Sequence, residues 1–169
     1  MKELILGGAR SGKSALAEQR AAAMGGTVTY IATAVAGDAE MAARIEHHRK
    51  CRPGHWHLIE EPLRLAGVLQ QHAVQGGCLL VDCLTLWLSN LLAEGEPLQQ
   101  QEQEALLTCL PELPGDILLV SNEVGMGVVP LGELSRQFVD EAGRLHQRLA
   151  AVCDRVTLVV AGLEQRLKG

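Results

Sequence analysis

The chain has 169 residues, 47% of them hydrophobic, which suits one domain with its own core. A net charge of −5 and an aromatic content of 2% exclude a base-stacking platform and the basic footprint of a nucleic-acid binder. Five cysteines (Cys51, Cys78, Cys83, Cys109 and Cys153) without a C-x-x-C pair point away from a disulfide framework or a zinc site.

In chain order, apolar runs of strand length fall at Leu4–Leu6, Thr27–Ala32, Cys78–Val81, Ile117–Val120 and Val156–Val160, with a weaker candidate at Trp56–Ile59. Helix-like segments lie between them: Ser14–Met24, Ala39–Arg49, Leu63–His72, Leu84–Leu92, Gln101–Leu110 and Leu131–Val152. The last carries Leu134, Phe138, Ala142, Leu145, Leu149 and Val152 at helical spacing. Arg52–Gly54, Glu94–Leu98 and Pro111–Gly115 read as loops, and none reads as a domain linker. Short apolar strands alternating with amphipathic helices predict an α/β fold of the P-loop NTPase type. It is a mostly parallel sheet with helices on both faces, in a single domain over residues 1–169. The N-terminal apolar stretch is too short for a signal peptide, and no run reaches the ~18 apolar residues that span a bilayer. A cytoplasmic protein with reduced cysteines and no membrane insertion is therefore expected.

In such sheets the ligand sits at the C-terminal ends of the strands, and three segments with chemistry fall there. The first, Gly7-Gly8-Ala9-Arg10-Ser11-Gly12-Lys13-Ser14, is a complete Walker A pattern between a strand and a helix. Its glycines let backbone N–H groups turn inward onto phosphate oxygens, and the helix start adds donors and a favourable dipole. Lys13 is expected to reach the β- and γ-phosphates, and Ser14 to put its hydroxyl on Mg²⁺. The second is Asp82, after Leu79-Leu80-Val81, which reads as a Walker B carboxylate holding the metal directly or through water. The third is Asn122-Glu123. Glu123 either positions an acceptor hydroxyl or a metal-bound water, or the segment only shapes a loop through Gly125, Gly127 and Pro130.

Ile45-Glu46-His47-His48-Arg49 is the oddest local feature. Neighbouring residues on a helix point about 100° apart, so the two imidazoles cannot share a task. With Met41 and Ile45 facing inward, His48 projects beside them and His47 away. A neutral imidazole is a competent nucleophile toward phosphorus, although an unpaired histidine is also a common surface or core residue. His55 and His57 do not complete a zinc spacing with the pair.

Taken together, the Walker A segment, Tyr30-Ile31-Ala32-Thr33, the His-His segment Glu40–Arg49, Arg52-Pro53, Asp82-Cys83-Leu84-Thr85, Asn122–Pro130 and Ala142–Ala150 closely resemble one family. This is the bifunctional adenosylcobinamide kinase / adenosylcobinamide-phosphate guanylyltransferase family of cobalamin biosynthesis. The resemblance runs from about residue 4 to residue 162, and the Asn-Glu-Val-Gly-x-Gly and His-His segments are its specific parts.

The resemblance implies two reactions. A nucleoside triphosphate, ATP or GTP, phosphorylates the aminopropanol hydroxyl of adenosylcobinamide. GTP then guanylylates a histidine, carried over to His48, and the GMP passes to the cobinamide phosphate to give adenosylcobinamide-GDP. The resemblance also implies that Ala32, Thr33, Ala34, Arg49, Lys50, Cys51, Arg52, Glu60 and Asp82 line the GTP site, and that the enzyme is a homotrimer. Arg10, Arg44 and Arg49 are candidates for an added guanidinium on the phosphates, or plain surface charges. Glu94–Pro114, rich in glutamine, matches no characteristic segment. A regulatory GTPase is the main rival class. It is disfavoured because guanine-reading Asn-Lys-x-Asp is absent: none of Lys2, Lys13, Lys50 or Lys168 follows an asparagine.

Overall fold

The computed structural model describes residues 1–35 and 53–169. Among these, seven strands form one sheet: β1 (Lys2–Gly7), β2 (Val28–Ala32), β3 (His57–Glu60), β4 (Cys78–Asp82), β5 (Asp116–Asn122), β6 (Arg155–Val160) and β7 (Leu163–Lys168). Their order is β3-β2-β4-β5-β1-β6-β7, and every neighbouring pair is parallel except β6–β7. The described helices are α1 (Lys13–Ala23), α2 (Leu65–His72), α3 (Leu84–Glu94), α4 (Glu96–Cys109) and α5 (Glu133–Val152). The expected helix Ala39–Arg49 lies outside the described residues.

Strand side chains alternate between faces, and both faces are covered. Ile5, Tyr30, Leu80, Leu118 and Val120 pack toward Ala17 and Ala21 of α1. Leu4, Leu6, Ile31, Leu79, Val81, Ile117 and Leu119 pack against α2 to α5. Double-sided burial is why the central strands are continuous apolar runs rather than alternating ones. Trp87 of α3 is fully buried and donates its indole N–H to the Leu63 carbonyl at 2.8 Å, so its one polar atom is satisfied.

Three expectations needed correction. Glu94–Leu98 is no loop: α4 starts at Glu96, and the break from α3 is the single residue Gly95, whose φ of 106° only glycine adopts cheaply. Pro97 sits in the first turn of α4, where its missing N–H costs nothing. The apolar stripe of the last helix is shorter than its spacing suggests. Leu134 is 80% exposed, and the buried residues are Ala142, Leu145, His146 and Leu149, so only the second half of α5 is fully buried along its stripe.

The third correction is β7, which no apolar run announced. All six of its residues are exposed, and it joins β6 through Ala161 and Gly162, both left-handed at φ 52° and 78°. Two links fasten this hairpin to the body. Arg20 of α1 bridges buried Glu3 of β1 and Glu164 of β7. Lys168 donates to the carbonyls of Ala150, Ala151 and Cys153, which the end of α5 leaves without helical partners.

Candidate active site

The phosphate loop leaves β1 in the middle of the sheet and enters α1 at Lys13. Gly7 has no room for a side chain: a Cβ there would lie 2.4 Å from Ser11 Oγ and 2.6 Å from the Val159 carbonyl of β6. Arg10 and Gly12 take left-handed conformations, at φ 56° and 96°, and this turns the loop back on itself. Two bonds fix the curl, Ser11 N–H to the Gly8 carbonyl at 3.2 Å and Gly162 N–H to the Ser11 carbonyl at 2.8 Å. The turn after β6 therefore braces the loop after β1. The first turn of α1 holds no acidic residue, so nothing competes with an incoming anion.

Lys13 is buried and donates to the Gly8 carbonyl at 3.1 Å, spanning the loop it belongs to. Burial lowers the affinity of its amine for a proton, and the nearby Asp82 carboxylate works against that shift. Asp82 closes β4 on the same end of the sheet. Tyr30 Oη donates to Asp82 Oδ2 at 3.1 Å and fixes the carboxylate. Ser14 stands in the first turn of α1, partly exposed. A serine hydroxyl and an aspartate carboxylate are hard oxygen donors, the type Mg²⁺ takes alongside phosphate oxygens and water. Among the described residues no cluster of three or more His, Cys, Asp or Glu could hold a metal.

Ala32 ends β2 beside Asp82, its register partner in β4, and Glu60 ends β3 opposite Ala32. Thr33 is buried, and its hydroxyl is spent on Cys83: it donates to the carbonyl at 2.7 Å and accepts from the N–H at 3.0 Å. Its side chain thus ties the ends of β2 and β4 together. Asn90 of α3 donates to the Thr33 carbonyl at 2.9 Å. Ala34 follows at the same sheet end, partly buried. His48, Arg49, Lys50, Cys51 and Arg52 lie outside the described residues.

Asn122 ends β5, and Glu123 follows it with its N–H on the Gly7 carbonyl at 3.0 Å. Glu123 Oε1 accepts from the Gly125 N–H at 2.5 Å, so its side chain ties down the loop that follows, and neither Gly125 nor Gly127 takes a left-handed conformation. Sequence reasoning gave no role to Tyr30, Thr85, Ser121, His146 or Gly162. Each acts by supporting a motif residue from a distant part of the chain, and local spacing carries no signal of that.

A Gly-x4-Gly-Lys-Ser loop between a central parallel strand and a helix, with an aspartate closing a second strand, defines a P-loop nucleotide-binding fold. An ATPase from the type III secretion system of pathogenic bacteria has a similar fold, with TM-score 0.50 and 10% identity over 98% of this chain and 57% of that one. The RadB recombinase gives a TM-score of 0.48 at 16% identity, over 93% of this chain and 73% of that one. The family model described as cobinamide kinase / cobinamide phosphate guanyltransferase matches residues 3–167, and the chain belongs to that family. A bifunctional adenosylcobalamin biosynthesis protein, CobP, of Pseudomonas aeruginosa is 64% identical over 170 residues, covering 100% of this chain and 98% of that protein. The bifunctional adenosylcobalamin biosynthesis proteins CobU of Salmonella typhimurium and Escherichia coli are each 41% identical over 184 residues, covering 99% of this chain and 100% of theirs.

Proposed function

We propose that this protein carries out both reactions of its family in cobalamin nucleotide-loop assembly, in the cytoplasm. It phosphorylates adenosylcobinamide from ATP or GTP. It then moves GMP from GTP through His48 onto the cobinamide phosphate, with release of pyrophosphate. The observation that carries this reading is the convergence of the braced phosphate loop, Asp82 and Glu123 at one end of the sheet, in a chain matched by the family over residues 3–167.

In the first reaction the loop N–H groups of Gly8 to Lys13 and the Lys13 ammonium hold the phosphates. Ser14 and Asp82 would hold Mg²⁺, which when bound supplies neutralising charge on the phosphate oxygens. The corrinoid hydroxyl oxygen bonds to the γ-phosphorus as the β–γ bridging bond breaks, and Glu123 takes the hydroxyl proton. In the second, an imidazole nitrogen of His48 displaces pyrophosphate from the α-phosphorus. The phosphoramidate formed is reactive because its imidazole departs readily once protonated. Ala32, Thr33, Ala34, Arg49, Lys50, Cys51, Arg52 and Glu60 form the rest of the GTP surface in this reading. One geometric fact supports that set. The chain leaves the C-terminal end of β2, at the level of the phosphate loop, immediately before residues 36–52.

The test uses GTP labelled at the α-phosphate with Mg²⁺, followed by denaturation. Acid-labile, alkali-stable label is expected on the wild type and on His47→Ala, and none on His48→Ala. A wild type that phosphorylates cobinamide but retains no label would reduce the enzyme to a kinase.

A further inference from the structure

Beside the phosphate loop, a line of polar side chains runs inward from Glu123, and beyond Glu123 itself the two reactions above leave it unused. The Asn122 N–H donates to Thr85 Oγ1, in the first turn of α3, at 2.7 Å. Thr85 Oγ1 lies 3.3 Å from Ser121 Oγ of β5, and Ser121 Oγ lies 2.8 Å from His146 Nε2 of α5. The other ring nitrogen, Nδ1, faces Glu123 Oε2 at 3.8 Å. Ser121 and His146 are both buried, at 2% and 7% exposure. Three elements far apart in sequence thus contribute to one short path that ends on a carboxylate.

The direction of the protons along this path follows from its two ends. A carboxylate opposite Nδ1 repels a lone pair there and favours N–H, which leaves Nε2 as an acceptor. Ser121 must then donate to Nε2, and its oxygen is free to accept from Thr85. Thr85 already accepts from the Asn122 N–H, so its own proton is available for Ser121. Every hydroxyl in the line points toward Glu123, and donors aligned in this way strengthen one another. Burial keeps the ring neutral, while Glu123, the charged group whose field reaches it, pulls in the opposite direction. The two oxygens of Glu123 have different partners: Oε1 takes the Gly125 N–H, and Oε2 stands 3.8 Å from Nδ1, an electrostatic contact longer than a hydrogen bond.

We propose that His146 is a positioning residue of the phosphoryl-transfer site, and that its Nδ1–H tautomer, set by Glu123 opposite Nδ1 and supported by Ser121 at Nε2, orients Glu123 toward the acceptor hydroxyl. This rests on the reading of Glu123 as the group that takes that proton. A neutral N–H suits the task better than an imidazolium, because it aims the carboxylate without forming an ion pair that would weaken it as a base. His146 itself touches no substrate. The guanylylation of His48 does not need an acceptor hydroxyl, so it does not depend on this line.

The experiment combines ring-nitrogen NMR with kinetics on the full chain. In protein carrying ¹⁵N-histidine, the ring whose signals vanish in His146→Asn is expected to be the Nδ1–H tautomer. Ser121→Ala and Glu123→Gln are expected to move it toward Nε2–H. Ser121→Ala and His146→Asn should each lower kcat for cobinamide phosphorylation about tenfold to a hundredfold, less than the full loss of an acid–base group. The KM for the nucleotide and the GTP labelling of the protein should stay within about twofold of the wild type in both variants, since neither step uses the line. Ser121→Thr, which keeps the hydroxyl, should retain the rate. An Nε2–H tautomer in the wild type, an unchanged kcat in folded Ser121→Ala, or an equal loss of both half-reactions would overturn the inference. A wild type that phosphorylates no cobinamide would instead sink the functional reading, and the role of His146 with it.

Discussion

Gly7 shows how little freedom a single position has when two backbones meet. A methyl group at Gly7 would meet the Val159 carbonyl, which belongs to a paired strand and cannot swing away as a side chain would. Gly7→Ala is therefore expected to cost about 1–3 kcal/mol in urea unfolding and to weaken nucleotide affinity at least about tenfold, as the loop shifts off its donors. Calorimetric titration with a non-hydrolysable triphosphate measures the second effect. His146 gives a prediction in pH. Burial depresses its folded-state pKa, so below about 6.5 the unfolded chain binds more protons than the native one. The stability associated with the neutral ring is complete above that pH and falls away as pH drops further. Urea midpoints between about pH 7.5 and pH 5 should decline for the wild type and decline less for His146→Asn.

The hairpin of β6 and β7 carries the clearest prediction among the elements. Both turn residues, Ala161 and Gly162, have positive φ, the geometry of a two-residue hairpin for which Asn-Gly is the favoured pair. Ala161→Asn should raise stability by about 0.5–1 kcal/mol, read as a higher melting temperature, because alanine is strained where asparagine is tolerated. The same hairpin marks the limit of what the sequence discloses. Strands buried on both faces announce themselves as apolar runs, and β1, β2, β4, β5 and β6 were all legible that way. An edge strand such as Leu163–Lys168 needs no buried apolar face, since backbone pairing and the polar links of Glu164 and Lys168 hold it. The strand–loop–helix junction at Gly7–Ser14 was legible, because its pattern is local. The Tyr30 hydroxyl on Asp82 and the His146–Ser121 contact were not, because each joins positions that only folding brings together.

At the scale of the whole molecule, a run of apolar side chains is left exposed. Met126, Val128, Val129, Leu131 and Leu134 are exposed in sequence, at the start of α5 and in the segment before it. Five large apolar side chains exposed within one short segment suit a contact surface. In the homotrimer implied by the family resemblance, a second copy would cover it. Sedimentation equilibrium should then give about three times the 18.1 kDa chain mass. Val128→Asp with Leu131→Asp should lower that mass toward one chain without unfolding it, since neither residue is part of the core. A wild type that sediments as a single chain would leave the patch to the corrinoid. Among the described residues no helix is long and apolar enough to cross a membrane.

The bond from Gly162 N–H to the Ser11 carbonyl has a consequence for biosynthesis. Ser11 leaves the ribosome early, and Gly162 is added long after it. While the β6–β7 turn is still inside the exit tunnel, the nascent phosphate loop has no brace and no β6 beside it. The full geometry of the phosphate loop is thus completed only once β6 and its turn have joined the sheet.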